Sequence, residues 1–184
     1  MAEELSGRDD APDSQMIARW QGGDERAATA LVERHANALA RYVGSLGERD
    51  AAEEVVQDTF VRAFASIESF RGESSLKTWL FTIARRLVVD RRRSVRRRRE
   101  VGNLDDVDAS THVNALDHLI GSEAQQQVWA AVGKLSPTQR EVFLLRVNEG
   151  LSYKEIAEVA STTEGAARVH YHNALRTVKE NLYD

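Results

Sequence analysis

Apolar residues recur along most of the chain at three- and four-residue steps, which places them on one face of a helix. From about Arg49 to Ile67 the stripe is Ala52, Val56, Phe60, Ala63 and Ile67; beyond a polar loop, Glu68 to Ser74, it is Leu76, Leu80, Ile83 and Leu87. Start and stop signals frame the other helices. Ser14 caps a short one, Gln15 to Gln21, that ends at Gly22 and Gly23. Asp24 opens a long one through Arg41 and Tyr42, stopped by Gly44 and Gly47. After Leu87 the fourth helix dissolves into arginines. Further on, Ser136-Pro137-Thr138-Gln139 combines a serine cap, proline at the first helical position and glutamine three residues after the cap, and Gly150 ends the helix it opens. Ser152-Tyr153-Lys154-Glu155 is a second capping box. It starts a short helix to about Val159, followed by the turn Ala160-Ser161-Thr162 and a helix from about Thr163 to Leu182.

These elements divide into an acidic tail with Pro12 (residues 1–13), expected to be disordered, a helical domain (14–98), a linker (99–121) and a second helical domain (122–184). Residues 100–121 lose the periodicity and hold five acidic residues without Lys or Arg, which marks them as linker. The expected fold class is all-α: two small helical domains joined by a flexible acidic linker, the second a helix-turn-helix. In the last helix Ala167, Tyr171, Ala174, Val178 and Leu182 share the inward face. Gly165, Val169, His172 and Arg176 lie opposite, with Arg168 at the flank.

Composition narrows the classes. The 184 residues are 42% apolar, enough for a core, yet no stretch approaches the ~20 apolar residues of a membrane span, so no membrane insertion is expected. The acidic start at Met1 has no apolar run and reads as no secretory signal. The absence of cysteine excludes disulfides, thiolate zinc sites and cysteine nucleophiles, and fits a reducing cytoplasm.

The net charge of −4 conceals a segregation: residues 1–60 carry net −7, residues 61–100 net +8 and residues 101–184 net −5. One surface therefore suits a polyanion and others suit different partners. Nine arginines between Arg85 and Arg99 face a single acid, Asp90, and the aromatics Phe70, Trp79 and Phe81 lie among or before them. Cations interleaved with rings suit single-stranded nucleic acid, whose phosphates pair with charge and whose bases stack. For Arg96 to Arg99 a solvated helix end is the favoured reading; for residues 70–92 the mixture of rings and arginines favours nucleic acid.

Glu54 and Asp58 lie one turn apart with Gln57 beside them, opposite an apolar stripe. Such carboxylates can do acid–base work or bind metal, but no nucleophile, third ligand or phosphate loop is near, which leaves a solvated face or a protein-partner face. His170 and His172 point to different helix faces, and His112 and His118 fall in the linker without carboxylates around them. No metal site, cofactor or enzyme motif is assigned. On the last helix, Val169 suits a thymine methyl and Arg168 a base edge or phosphate; on periodicity alone, in an acidic domain, a plain helical hairpin with a solvated face is slightly favoured.

Taken together, the segments resemble a bacterial RNA polymerase sigma factor of the extracytoplasmic-function type. Residues 52–64 (AEEVVQDTFVRAF) resemble that family's core-polymerase-binding helix, and residues 69–91 (SFRGESSLKTWLFTIARRLVVDR) its promoter-melting and −10-reading segment. Residues 135–143 (LSPTQREVF) and 150–157 (GLSYKEIA) resemble its −35-binding domain. The resemblance implies that Glu53, Glu54, Gln57 and Asp58 meet a basic coiled coil on the largest polymerase subunit. It implies that the loop from Phe70 through Arg71 and Ser74 to Ser75 holds a flipped base of the melted non-template strand. Lys77, Thr78, Trp79, Arg85 and Arg86 would hold that strand's backbone. The linker would thread the polymerase's nucleic-acid channel against the large subunits, its carboxylates resembling RNA. Duplex −35 contacts fall to Tyr153, Lys154, Thr163, Glu164, Gly165, Arg168, Val169 and His172. An anti-sigma factor is the remaining expected partner. A stand-alone helix-turn-helix regulator and a helical adaptor remain as other classes. The family's recognition helix is usually more basic, and its turn often carries glycine where this chain has Ala-Ser-Thr.

Overall fold

The structure is a computed structural model that describes residues 12–102 and 123–183. Among them the chain forms eight α-helices: α1 (Asp13–Gln21), α2 (Glu25–Ser45), α3 (Ala52–Ala65), α4 (Leu76–Gly102), α5 (Glu123–Gly133), α6 (Pro137–Val147), α7 (Tyr153–Ala160) and α8 (Glu164–Tyr183). A 3-10 turn, Ile67–Ser69, follows α3.

The capping signals are realised as side-chain chemistry. Asp24 accepts from the Arg26 amide, and both boxes form: Ser136 with Gln139, and Ser152 with Glu155. Ser75 caps α4 by accepting from the Thr78 amide at 3.1 Å. The α7–α8 turn passes through Ser161 in the left-handed region (φ 53°), a conformation that costs a residue with a Cβ about 1–2 kcal/mol and explains why glycine is frequent there.

Three boundaries differ from the sequence reading. The third helix stops at Ala65, and Ile67 lies in the 3-10 turn instead. The first helix begins at Asp13, inside the segment read as tail. Its carboxylate receives Arg34 at 2.7 Å and lies 2.9 Å from the ring of buried His35, tying α1 to α2. Burial alone raises the Asp13 pKa, but the bonds and charge of His35 and Arg34 outweigh it and hold the carboxyl below its ordinary value. The fourth helix does not dissolve into arginines; it runs to Gly102. Arginine is a strong helix former, and Arg91 and Arg92 are tied to Glu48 and Glu54 across the bundle. Residues 99–102 are thus helix, and the rest of the expected linker, 103–121, lies outside the described residues, as does most of the acidic tail.

Helices α1–α4 form one layer of packing and α5–α8 another, but the two do not stand apart. Helix α7 lies along α4, and α6 touches α2. One contiguous apolar cluster runs from Leu31, Leu39, Val43, Phe60, Leu80 and Phe81 into Val142, Leu145, Leu151, Ile156 and Val159. A smaller cluster holds Ala131, Val132, Leu135, Phe143, Leu144, Ala174 and Val178. Two small cores would each be thin at this length, and joining them removes more apolar surface from water.

Candidate functional site

Three surfaces carry the candidate residues. The first is the outer face of α3. Glu53, Glu54, Gln57 and Asp58 are all exposed, while Val55, Val56, Thr59, Phe60 and Ala63 turn inward. Beside the carboxylates runs an apolar groove between α2 and α3, lined by Val32, Ala36, Ala40, Phe60, Val61 and Phe64. Val61 is 61% exposed. Glu54 is not a lone charge, because Arg91 of α4 reaches it at 2.9 Å. Carboxylates flanking an apolar groove suit a helical partner with a basic rim.

The second surface is the 70–75 loop and the face of α4 that follows it. Gly72 turns the loop with φ +69°, which a side chain rarely adopts. Phe70 packs on Trp79 with centroids 5.1 Å apart. Under the loop a pocket opens between the starts of α1 and α4, lined by Asp13, Ser14, Arg34, Phe70, Gly72 and Ser74 among others. Arg71 and Arg86 are exposed.

The other candidates on this face are engaged by carboxylates of the second domain. Ser74 donates to Glu158 at 3.1 Å, and Ser75 and Thr78 donate to Glu155 at 3.3 and 3.0 Å. Lys77 bonds the backbone oxygen of Glu149 at 2.9 Å and its carboxylate at 2.8 Å. Arg85 and the phenol of Tyr42 share one oxygen of buried Glu141, at 2.8 and 2.7 Å. Burial first, and then the Glu141 charge, push the Tyr42 phenol well above its usual range. Burial on its own raises the Glu155 pKa, but the hydrogen bonds from Ser152, Thr78 and Ser75 outweigh it and hold the carboxyl below its ordinary value.

Two sequence expectations change here. Thr78 is fully buried rather than exposed on the basic face, and so is Phe81, whose ring stacks on Tyr42 at 4.8 Å between centroids. Thr78 is covered by Glu155 of α7, whereas Phe81 packs on Tyr42 of α2 within the apolar cluster that both domains share.

The third surface is the start of α8. Thr163 accepts from the Ala166 amide at 3.1 Å, and Glu164, Gly165, Arg168, Val169 and His172 are exposed, with Lys154 exposed on α7. Ala167, Ala174 and Val178 are buried, as their spacing requires. Arg168 is held by Glu164 at 2.9 Å and lies 4.8 Å from the centroid of the Tyr153 ring, which Arg146 also approaches at 4.9 Å. The guanidinium is thus prepositioned before any ligand arrives.

The residues that sequence reasoning misses are the carboxylates Glu141, Glu149, Glu155 and Glu158. Glu155 is legible only as a helix cap, and nothing local in the sequence distinguishes a cap from a cap that also reaches another domain.

Comparison with known proteins agrees with the layout. The sigma-70 region 2 family matches residues 31–99, and sigma-70 region 4 matches residues 125–178. The chain is 31% identical to the ECF RNA polymerase sigma-E factor of Haemophilus influenzae, an alignment covering 99% of this chain and 98% of that protein. It is 32% identical to the ECF RNA polymerase sigma factor BldN of Streptomyces coelicolor, covering 96% of this chain and 68% of that one. Among solved structures, the sigma factor RpoE in complex with the anti-sigma factor NepR from Bartonella quintana superposes with a TM-score of 0.69 at 29% identity. That match covers 84% of this chain and 96% of the other. CnrH in complex with the cytosolic domain of CnrY superposes at 0.65 and 27% identity, covering 92% and 96%. Both matched regions occur in one chain and in order, which favours neither a stand-alone regulator nor an adaptor. On these matches, which span both helical units and nearly the whole chain, the chain belongs to the ECF RNA polymerase sigma factors and acts in transcription initiation.

Proposed function

We propose that the three surfaces divide the work of initiation. The face of Glu53, Glu54, Gln57 and Asp58, with the groove beside it, docks on a basic helical coil of the largest subunit of core RNA polymerase. The pocket under the 70–75 loop receives one base flipped out of the melted non-template strand at the −10 element. Around it Phe70, Arg71, Ser74, Ser75, Lys77, Thr78, Trp79, Arg85 and Arg86 form the strand-holding face. Extrusion of a base costs a few kcal/mol, so a pocket that compensates for one base only confers selectivity. The start of α8 enters the major groove at the −35 element, with Arg168 and Val169 nearest the bases and Lys154 and Tyr153 beside the backbone.

The observation that supports this most is the order and separation of surfaces on one chain: an acidic partner face, a basic aromatic face and an exposed recognition helix. The protein is a cytoplasmic, non-enzymatic factor whose chemistry is binding; the polymerase makes the bonds. One of the two superposed sigma-type structures is a complex with an anti-sigma factor and the other a complex with the cytosolic domain of CnrY. An anti-sigma factor is proposed as a partner here too.

Promoter selection by the purified holoenzyme tests the division. Selection from randomised duplexes should enrich two elements at a fixed spacing, and core polymerase alone should enrich neither. Enrichment of a single palindrome by the free chain would overturn the proposal.

A further inference from the structure

The pocket between the starts of α1 and α4 has two unlike walls. One is the 70–75 loop, with the Phe70 ring and the hydroxyls of Ser74 and Ser75; the other comes from α1 and α2 and carries Asp13, Ser14 and Arg34. Met16 and Ile17 are buried and dock α1 against α2, so the apolar contact fixes which turn of α1 meets the pocket.

Asp13 is the one carboxylate among the described residues that line this pocket. It is held from two sides: Arg34 donates to Oδ1 at 2.7 Å, and the ring of buried His35 lies 2.9 Å from Oδ2. Each oxygen therefore has one partner, whereas a carboxylate offers about four acceptor sites. The side chain is 25% exposed, largely withdrawn from water yet open to a ligand in the pocket. Burial works to neutralise the carboxyl, but His35 and Arg34 outweigh it and hold the group ionised. Charge-assisted bonds of this kind also fix its direction.

A strand of DNA offers such a wall phosphates, sugars and bases. A carboxylate repels phosphate, and the cations Arg71, Lys77, Arg85 and Arg86 lie on the neighbouring loop and on α4 to take it. The part of the strand that suits Asp13 is thus an uncharged base presenting N–H donors. Cytosine, adenine and guanine each carry an exocyclic amine; thymine carries none. The one ring N–H of thymine stands between two carbonyl oxygens, which would meet the carboxylate with repulsion. A site built to accept from a donor rejects the analogue that lacks it, because the part-buried acceptor is left unpaired.

We infer that Asp13 is the base-reading acceptor of this pocket, and that the pocket takes a base with an exocyclic amine and rejects thymine. The inference rests on the proposed role of the pocket in receiving an extruded base; it deepens that role by naming the group that reads the base and the class of base it reads. Arg34 and His35 are positioning residues for the carboxylate.

The test uses holoenzyme and fork-junction DNA, duplex through the −35 element and single-stranded in the non-template strand across the −10 element. Each position of the single-stranded segment carries in turn cytosine, uracil, adenine, hypoxanthine, thymine or an abasic sugar, and competition binding is read by fluorescence anisotropy. Uracil and hypoxanthine match cytosine and adenine in size and replace the amine with a carbonyl. The expected result is one position at which the abasic sugar loses affinity. There the amino member of the better-binding pair should bind at least about fivefold tighter than its keto partner, and thymine should bind no better than uracil. In Asp13→Asn, which turns part of the acceptor into a donor, the preference should shrink to about twofold or less. Asp13→Glu keeps the charge and should retain it. Both members of a pair titrate one protein preparation, so a loss of folded fraction cancels from the ratio.

A preference that survives in Asp13→Asn would overturn the inference, as would an equal loss for every base, which would leave Asp13 as a tie between α1 and α2 only. The parent chain decides the matter even if the variants fold poorly: equal binding of amino and keto bases at the abasic-sensitive position, or tighter binding of thymine there, sinks the role of Asp13 alone. If no position is sensitive to the abasic sugar, the pocket receives no base, and the reading on which the inference rests fails with it.

Discussion

The two faces proposed to meet nucleic acid are in opposite states in this structure. The start of α8 is exposed, with Arg168 already braced by Glu164 and by the Tyr153 ring, whereas the start of α4 lies under α7 with its hydroxyls and Lys77 bonded to carboxylates. Both are helix N-termini next to cations, so local chemistry does not separate them. What separates them is tertiary: α7 belongs to the same helix-turn-helix as α8 and turns its other side to α4. A duplex reader needs no opening because the major groove comes to it, while a reader of an unpaired strand is protected until an unpaired strand exists.

The shared core is the strongest link between the two regions and the first place to break the comparison. Phe81 is fully buried and stacked on Tyr42, so Phe81→Ala should cost about 3–5 kcal/mol and lower the midpoint of denaturant unfolding for reporters in both domains. If the two layers act as one unit, Trp129 in α5 and Trp20 in α1 report the shift together. A shift confined to the first domain would mean that the layers are independent.

Next in size is the partner face. Close charge pairs across an interface couple by about 1.5–7 kcal/mol, so Glu54→Lys with Asp58→Lys should weaken core-polymerase association on the order of 100-fold. Folding stability should change by about 0.5 kcal/mol, since both positions are exposed and only the Arg91 pair is lost. Pull-down and thermal unfolding of the same variant separate the two effects.

The exposed face should respond less. Arg168→Ala should lower promoter duplex affinity by about 1–3 kcal/mol and relax preference at one −35 position if the guanidinium meets a base edge. A uniform loss with the salt slope reduced by about one unit assigns it to phosphate instead.

The smallest effect is the acid response of the contact between the two domains. Burial raises the Glu155 pKa, and its own cap Ser152 and then Thr78 and Ser75 across the interface lower it further than that. Only the Thr78 and Ser75 part distinguishes a packed chain from one whose domains separate, and through that part the packed form binds fewer protons as pH falls. That contribution is complete above the ordinary Glu value near about 4.3 and is lost as pH drops through the depressed one. Spin labels at Glu73→Cys and Lys154→Cys, in a chain with no native cysteine, should therefore keep one separation from pH 8 to pH 5 and move apart only below about pH 4.

Much of this organisation is legible in the order of residues alone. The stripes Val56, Phe60, Ala63 and Leu76, Leu80, Leu87 fall on buried faces, both capping boxes form, and the inward set Ala167, Ala174 and Val178 is buried in α8. These signals are local, reading a helix face or a single turn. The closed interface is not local. Thr78 and Phe81 sit on a face whose charge and aromaticity suggest solvent or nucleic acid; their partners are distant in sequence, Glu155 of α7 for Thr78, 77 residues on, and Tyr42 of α2 for Phe81. The extension of α4 through its arginines is hidden for a similar reason, since its supports, Glu48 and Glu54, come from outside that helix. Asp13 reads as tail because its partners Arg34 and His35 lie 21 and 22 residues away.

The central claim is that this chain directs polymerase to promoters and opens them with its covered face. Permanganate reactivity of thymines around the −10 element tests it most directly, measured on a selected promoter with purified core polymerase and either the parent chain or a variant with Arg71, Ser74 and Ser75 changed to Ala. The account predicts reactive thymines only when the chain is present. For the loop variant it predicts near-normal promoter occupancy with reactivity per bound complex reduced several-fold or more. Normal reactivity per bound complex in the loop variant, with occupancy lost instead, would contradict it.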